Sequence, residues 1–305
     1  MELAMEIDPE ATRFHQPVMA AEILGLVGYR NPAIVVDATV GTGGHAALIL
    51  ESTAARLIAI DRDETALEVS RDRLRDFGDR VLFHHGNFSE IERALDQAGV
   101  ARADAIIADF GLSSFALDNP ERGLSFRHDG PLDMRMDASG GIRAYEIVNE
   151  ETETELARII YEFGEERASR RIARMIVEAR RRGPIATTGE LRAIVERALG
   201  AGRRGRVHPA TRTFQALRIR VNAEIEALSE FLGQAPMRLA PCGRLVTIAY
   251  HSLEDRPVKD RFRELVRAGE FIAVTGKPLR PSDEEAGRNP RARSARLRCI
   301  ERAAR

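Results

Sequence analysis

Tryptophan is absent from this chain of 305 residues, and aromatic residues make up only 5% of it. Long apolar runs are missing too, because no stretch approaches the roughly 20 apolar residues that a membrane-spanning helix needs. Residues 1–10 are acidic and have no basic n-region, which argues against a secretory signal. These absences predict a protein that neither crosses a membrane nor is exported.

Cysteine is also scarce, with Cys242 and Cys299 as the only two thiols. Neither lies in the spacing of a metal-binding motif, and the seven histidines show no ligand spacing either. We therefore expect no metal site. So few thiols are typical of a reducing compartment, which predicts a cytoplasmic protein.

The richest local pattern is a strand that ends in an acid and is followed by a glycine-rich turn. The apolar segment 33–36 leads into Asp37, the sequence Gly41-Thr-Gly-Gly44 follows, and a helix is predicted over 46–51, directly after His45. Glycines let the backbone approach a ligand closely, and the helix start offers free N–H groups to it. The pattern predicts a ligand-binding loop, with Asp37, Gly43, Gly44 and His45 as candidate contacts.

A second strand, residues 57–60, ends in Asp61, which lies 18 residues after Gly43. A carboxylate in this position typically binds the ribose hydroxyls of a nucleotide. Nicotinamide-binding chains favour G-x-G-x-x-G, whereas the spacing here is G-x-G-G with Asp37 before it. An acid there would repel a pyrophosphate but accept hydrogen bonds from an ammonium group, which favours S-adenosylmethionine.

Strand and helix patterns alternate along residues 33–109, which predicts an α/β fold with a parallel, doubly wound sheet. Residues 113–145 are predicted to be loop-like and residues 150–200 helical. Alternation resumes with one long helix over 214–232, a fifth strand over 245–250 and last strands over 271–275 and 297–301. We therefore predict a discontinuous core, residues 1–112 and 213–305, with a helical insertion, residues 113–212, after the fourth strand.

Ligands in such sheets bind outside the carboxyl ends of the strands. Phe88 follows the third strand and is a candidate to pack on an adenine ring, with ordinary packing as the alternative. Asp109 ends the fourth strand and is a candidate to orient an amine during methyl transfer, with a turn cap as the alternative.

The absence of a G-x-S-x-G elbow excludes the usual serine hydrolase. Ser252 and Asp255 predict a cap on the helix after strand five.

Charge is nearly balanced overall, at −1, but arginines are clustered. Residues 203–220 contain six arginines and residues 288–298 contain five, with no acid in either stretch. A charge run is often only a solvated face. Together with a nucleoside site, the two stretches favour a nucleic-acid substrate. The candidate RNA contacts are Arg203, Arg204, Arg206, Arg212, Arg291 and Arg293.

Long segments of the chain carry a family resemblance. They are Asp37-Ala-Thr-Val-Gly-Thr-Gly-Gly-His45, Ala59-Ile-Asp-Arg-Asp63, Glu121-Arg-Gly-Leu-Ser-Phe126, Gly130-Pro-Leu-Asp-Met-Arg-Met-Asp137, Phe163-Gly-Glu-Glu-Arg167, His208-Pro-Ala-Thr-Arg-Thr-Phe-Gln-Ala216, His251-Ser-Leu-Glu-Asp-Arg256 and Asn289-Pro-Arg-Ala-Arg-Ser294. With them the chain resembles the bacterial small-subunit ribosomal RNA methyltransferase H family from about residue 15 to 302.

The resemblance implies a class I, Rossmann-like methyltransferase fold with a helical insertion. It implies that S-adenosylmethionine methylates the exocyclic N4 of a decoding-region (P-site) cytosine of 16S rRNA, in the assembled small ribosomal subunit. Carried over by position, the cofactor contacts are Gly43, Gly44, His45, Asp61, Phe88 and Asp109.

One position departs from the family. Where the family usually has glutamine, in a Ser-Ser-Pro-Gln-Leu-Asp context, this chain has Ala116. Alanine has no side-chain donor, so we expect weaker cofactor binding rather than loss of function. Phe110 also replaces a usual leucine.

Three alternatives remain open at this point. A DNA amino-methyltransferase is disfavoured by the absence of a Pro-Pro-aromatic segment after Asp109. A non-catalytic RNA-binding assembly factor is favoured only by Ala116. A nicotinamide dehydrogenase is disfavoured by the acid before the loop.

Overall fold

The computed structural model describes residues 17–112, 114–200 and 208–304. The chain folds into two compact units. The first comprises Met1–Gly111 and Ala227–Arg305, and the second comprises Leu112–Glu226.

The first unit is built on a seven-stranded sheet with the order β3-β2-β1-β4-β5-β7-β6. Strands β1 to β5 are parallel to one another, so their carboxyl ends share one edge of the sheet. The strands are β1 (Ile34–Asp37), β2 (Arg56–Asp61), β3 (Val81–His85), β4 (Ala103–Asp109), β5 (Leu239–Ala249), β6 (Phe271–Ala273) and β7 (Arg296–Arg302). Strand order reverses between β1 and β4, the point at which ligands bind in doubly wound sheets.

Both faces of this sheet are covered, because successive residues of the central strands enter different apolar cores. In β1, Val35 lies in one core and Val36 in the other. The same division separates Leu57 from Ile58 in β2. Strands buried on both faces read as continuous apolar runs, which is why they are recognisable in the sequence. The predicted doubly wound α/β fold, with helices inserted after the fourth strand, is confirmed.

The helices of the first unit alternate with its strands along the chain. The first unit contains α1 (Ala20–Val27), α2 (Gly44–Ser52), α3 (Glu64–Arg73), α4 (Ile91–Gln97), α12 (Ser252–Arg267) and α13 (Asp283–Arg288), and α11 (Glu224–Gln234) begins in the second unit and continues in the first. The helix α12 packs Val258, Phe262 and Leu265 into the same core as Phe271 and Ile300. These three positions recur at helical spacing and fix which face of α12 is exposed.

The parallel arrangement predicted from the alternating strands and helices does not extend to β7. Strand β7 runs antiparallel to both β5 and β6. The chain between β6 and β7 returns along the same edge, where Leu279 forms an antiparallel bridge with Leu297. A parallel pair would need a crossover past the sheet face instead. Alternating apolar residues do not encode strand direction, so the sequence pattern does not reveal this reversal.

The second unit is helical around its own apolar core. Its helices are α5 (Ser114–Asp118), α6 (Ala144–Glu150), α7 (Glu153–Glu162), α8 (Ser169–Arg180), α9 (Thr188–Leu199) and α10 (Thr211–Asn222). Leu156, Ile159 and Ile160 of α7 are fully buried in this core. Thr187 caps α9 by accepting the N–H of Glu190.

The predicted long helix over 214–232 is two helices. Ala223 has φ +48°, which ends α10, and α11 begins at the next residue. A left-handed residue is costly for alanine and has no signature in the sequence. The sequence predicts that the insertion ends at residue 212, whereas the second compact unit ends at Glu226.

Strand β5 also begins earlier than the predicted residue 245, at Leu239. In the part of the chain that the structure describes, no helix has the length and apolar character that crossing a membrane requires.

Candidate active site

The sequence-predicted acids meet at the carboxyl edge of the sheet. Asp37, Asp61 and Asp109 are the last residues of β1, β2 and β4. Strands β2, β1 and β4 are adjacent in the sheet, and repulsion from Asp109 and Asp61 contributes to raising the pKa of Asp37. Three acids at one strand edge form a site that favours a cationic or polyhydroxyl ligand.

The glycine turn between β1 and α2 is shaped by its backbone. Gly43 has φ +80° and is the N-cap of α2, and a Cβ there would lie 2.9 Å from Ser70 Oγ. Gly44 is the first helical residue, and a Cβ there would lie 3.3 Å from the Pro17 ring. Gly43 has no side chain to cap α2, so the first-turn N–H groups remain for a polar ligand group.

Asp61 ties this turn to the second strand. Its Oδ2 accepts the N–H of Gly41 at 2.7 Å, and its Oδ1 accepts the N–H of Asp63 at 2.9 Å. Each carboxylate oxygen can accept a further hydrogen bond, so Asp61 can still bind a hydroxyl pair. Burial is the main cause that raises its pKa, and the two N–H donors oppose this shift.

Asp37 is the most deeply buried acid of the site, with 1% of its surface exposed. Its Oδ1 accepts the N–H of Thr39 at 3.2 Å, whereas its Oδ2 has no hydrogen-bond partner within the described part of the chain. Burial, with smaller contributions from Asp109 and Asp61, raises the pKa of Asp37 to about 8. A carboxyl group in this state is suited to a positively charged partner.

Asp109 has a similar unpaired atom. Its buried Oδ1 lacks a partner among the residues described, while its backbone N–H donates to Thr39 Oγ1 at 2.7 Å. Burial raises the pKa of Asp109, and the nearby His45 and a hydrogen bond from Tyr250 lower it. The Tyr250 hydroxyl donates to this carboxylate, and burial raises the pKa of Tyr250 well above its usual value.

Tyr250 is a site residue that the sequence analysis missed. It directly follows β5, so the rule that ligands bind at strand ends was the available signal. A Cβ on Gly111 would lie 2.6 Å from the Tyr250 ring, so Gly111 leaves the space that this ring occupies. Tyr250 and Asp109 therefore form one hydrogen-bonded unit.

His45 is the second residue of α2 and is mostly buried, and its Nε2 lies 2.9 Å from the carbonyl oxygen of Val18. Phe88 follows β3 in a short 3₁₀ helix. Its ring centroid lies 5.5 Å from that of Phe110 and 5.6 Å from that of Phe231. This aromatic packing accounts for Phe88 structurally, and its contact with a cofactor stays a prediction.

The cap of α12 differs from the sequence prediction. The N-cap is His251, and Glu254 accepts the N–H of Tyr250 at 2.7 Å and that of His251 at 3.3 Å. Asp255 is not part of this cap, because its carboxylate binds Arg296 and Arg298. Glu254 thus fixes the backbone on which Tyr250 is held.

The six candidate RNA contacts have different surroundings. Arg203, Arg204 and Arg206 lie outside the described residues. Arg212, in α10 of the second unit, donates from Nη1 to the carbonyl oxygen of Glu165 at 3.1 Å. In the first unit, Arg291 is half-buried and Arg293 is exposed.

Ala116 lies in α5 and is 5% exposed in the core of the second unit. A glutamine would bring a polar amide to this apolar position. The expected weakening of cofactor binding stays a prediction. Phe110, the other departure, packs its ring 5.8 Å from that of Phe231.

Comparison with known proteins identifies the family to which this chain is similar. Residues 12–303 match the MraW methylase family. The chain is 51% identical over 288 residues to the ribosomal RNA small subunit methyltransferase H of Sorangium cellulosum, covering 94% of this chain and 90% of that protein. It is 46% identical to the protein of the same name from Solibacter usitatus, covering 94% and 99% of the two chains.

Proposed function

The chain belongs to the MraW methylase family, and we propose that it transfers a methyl group from S-adenosylmethionine to the exocyclic N4 of a cytosine in the decoding region of 16S rRNA. The observation that carries this proposal is the pair of buried, unpaired oxygens, Asp37 Oδ2 and Asp109 Oδ1, at the carboxyl edge of the sheet in the described part of the chain. One suits a cationic amino-acid group, and the other suits an amine that is to be methylated.

The residues at this edge fit the cofactor. Asp37 would accept hydrogen bonds from its ammonium group, and Asp61 would accept them from the ribose hydroxyls. Gly43, Gly44 and His45 would line the turn that admits it, and Phe88 would pack on the adenine ring. S-adenosylmethionine supplies an electrophilic methyl group on a sulfonium, and so the protein has mainly to position the acceptor.

Asp109 is the residue that orients the acceptor. The lone pair of a cytosine N4 is delocalised into the ring, so the amine attacks well only when its nitrogen approaches a tetrahedral geometry. A carboxylate that accepts one N4–H bond favours that geometry. Asp109 is preorganised for this by Tyr250 and by its backbone bond to Thr39. In the transfer the N4–C bond would form as the sulfonium S–C bond breaks, and the proton that the amine then loses would pass to the Asp109 carboxylate or to water.

The substrate RNA is the second partner. We propose that the assembled small subunit in the cytoplasm presents the cytosine, which must be unpaired or flipped to reach the site. Residues 113–212 would recognise the substrate, together with Arg203, Arg204, Arg206, Arg212, Arg291 and Arg293. Phosphate contacts of this kind make binding sensitive to salt.

A transfer assay tests the proposed function. Labelled S-adenosylmethionine is offered with small ribosomal subunits that lack the modification, with free 16S rRNA, or with duplex DNA. We expect label in the subunits and none in DNA. Label in DNA alone would support the amino-methyltransferase of DNA, and cofactor binding without transfer to any of these substrates would contradict the proposal.

Tyr250→Phe tests the hydrogen bond to Asp109. Because that bond lowers the pKa of Asp109, its loss should raise the pKa further and leave less of the carboxylate ionised at a given pH. We expect kcat to fall about tenfold near neutral pH, from the loss of one bond to a charged group. The loss should shrink as the pH rises. Measuring kcat against pH checks this, and a uniform loss at every pH would show that the hydroxyl acts only through packing.

A further inference from the structure

A cleft with basic side chains in an otherwise largely apolar lining lies on the first unit, on the flank of the sheet formed by α12, β6 and β7. Its volume is about 510 Å³. Four of the side chains that line it are basic and none is acidic: Lys259, Arg263, Arg267 and Arg298. In a chain with a net charge of −1, this is a local excess of positive charge that favours an anionic partner.

The cations of the cleft follow the helical repeat. Lys259, Arg263 and Arg267 are each four residues apart on α12, so they lie on one face of the helix. The rise of about 1.5 Å per residue spaces the first and last by about 12 Å along the axis. They lie beside the stripe formed by Val258, Phe262 and Leu265, which packs into the core.

Not all four charges are available to a ligand. Arg298 donates from Nε to Asp255 Oδ1 at 2.7 Å and from Nη2 to Oδ2 at 3.2 Å. Lys259 Nζ lies 3.4 Å from Asp260 Oδ1. Arg263 and Arg267 are exposed, and neither has an ion-pair partner within residues 17–112, 114–200 and 208–304.

We propose that this cleft binds the sugar-phosphate backbone of the substrate RNA, chiefly through Arg263 and Arg267. The choice of RNA rests on the proposed function, and Arg263 and Arg267 lie outside the two acid-free arginine stretches. Guanidinium groups bind phosphates well because their N–H groups match two phosphate oxygens. Cations repeated along about 12 Å of a helix suit an extended polyanion better than a single compact anion.

The test is the affinity for a fluorescein-labelled single-stranded RNA oligonucleotide, measured by fluorescence anisotropy over a range of salt concentrations. The double variant Arg263→Gln/Arg267→Gln is compared with Arg56→Gln/Arg75→Gln. The control also removes two positive charges from exposed arginines of the same unit, Arg56 at the opposite, amino end of β2 and Arg75 after α3.

Removing one phosphate-binding cation should reduce the salt slope for a single strand by about 0.7. Removing two such cations should therefore weaken RNA binding about 25-fold at about 0.1 M salt. The difference in affinity between the double variant and the unsubstituted protein should disappear as the salt concentration approaches about 1 M. The control should bind as the unsubstituted protein does. Equal weakening by both variants would overturn the proposal, because it would show an effect of net charge alone.

Two further measurements separate the remaining explanations. Cofactor binding by calorimetry should be unchanged in Arg263→Gln/Arg267→Gln, because neither residue is in the site at the strand ends. RNA should protect Arg263 and Arg267 from phenylglyoxal in the unsubstituted protein, and absence of protection would overturn the proposal. Full protection by inorganic tripolyphosphate at the same phosphate concentration would instead assign the cleft to a small anion. Binding is read without methyl transfer, so failure of the proposed methylation would leave this result independent.

Discussion

Asp109→Ala is expected to lower kcat by about 10²- to 10³-fold, the range found when one preorganised electrostatic group is removed from an active site. The reason is that Asp109 Oδ1 is buried and, among the residues described, unpaired, while the rest of the residue is held by Thr39 and Tyr250. Asp109→Asn retains an acceptor oxygen without the charge. Its kcat should lie between that of Asp109→Ala and that of the unsubstituted protein. Steady-state methyl transfer to small subunits checks these values.

Asp104 offers a matched control on the same strand. Its Oδ2 accepts the N–H groups of Ala33 and Ile34, both at 2.9 Å, near the start of β4 and far along the strand from Asp109. Asp104→Asn should leave kcat nearly unchanged. A rise in KM for the cofactor in Asp109→Ala, with kcat preserved, would make Asp109 a cofactor-binding residue and remove it from the chemistry.

Substitution of Asp37 is expected to have a large effect on the affinity for the cofactor. Asp37→Asn should weaken binding of S-adenosylmethionine roughly 10- to 100-fold near pH 8, because a bond between a buried carboxylate and an ammonium group is lost. The unsubstituted protein should bind more tightly as the pH rises toward about 8, the pKa of Asp37. Each pH unit below that value reduces affinity by up to about tenfold, because the carboxyl group must lose a proton to bind the cation.

The raised pKa of Asp37 also affects the stability of the protein without cofactor, but there a rise in pH is unfavourable. The folded-state pKa of about 8 lies above the ordinary 3.8, so folding favours the protonated form. The stability that this provides is full below about pH 4 and is lost as the pH rises to about 8. Near pH 8 the Tm of Asp37→Asn without cofactor should therefore exceed that of the unsubstituted protein. Calorimetry and thermal unfolding between about pH 6 and pH 9 check both parts.

Asp37→Asn also separates this effect from other titrating groups, because any pH dependence that remains in it belongs to them. An equal pH dependence of cofactor affinity in the two proteins would contradict the assignment of the ammonium group to Asp37. A lower Tm of the variant at every pH would show that the carboxyl group is needed for packing instead.

The strand-end acids could be found from the sequence because parallel strands buried on both faces produce continuous apolar runs. Asp37, Asp61 and Asp109 each stop such a run, so the edge of the site is recognisable without the fold. The glycine turn is recognisable for a similar reason, since Gly43 has a backbone conformation that other residues rarely adopt.

Other features have no one-dimensional signature. The reversal of β7 leaves the alternation of apolar residues unchanged, and the break at Ala223 lies in a sequence that favours a continuous helix. The role of Tyr250 is visible only when the ends of β4 and β5 are known to lie side by side. Its hydroxyl binds Asp109, which is 141 residues away in the sequence.

The basic cleft shows a limit of reading charge along the chain. A search for acid-free arginine runs misses α12, because Asp260 and Glu264 follow Lys259 and Arg263 directly. Helical spacing separates these acids from the basic face. Conversely, several arginines of the acid-free stretches are bound within the protein, as in the pairs Arg218–Glu224 and Arg298–Asp255.

The most direct test of the proposed activity is the identity of the methylated nucleoside. Small subunits that lack the modification are treated with the protein and S-adenosylmethionine, and their 16S rRNA is digested and analysed by chromatography and mass spectrometry. We predict N4-methylcytidine at one position of the decoding region, absent when Asp109→Ala replaces the protein. A methyl group on carbon 5 of the base, on another base or at scattered positions would contradict an N4 acceptor oriented by Asp109.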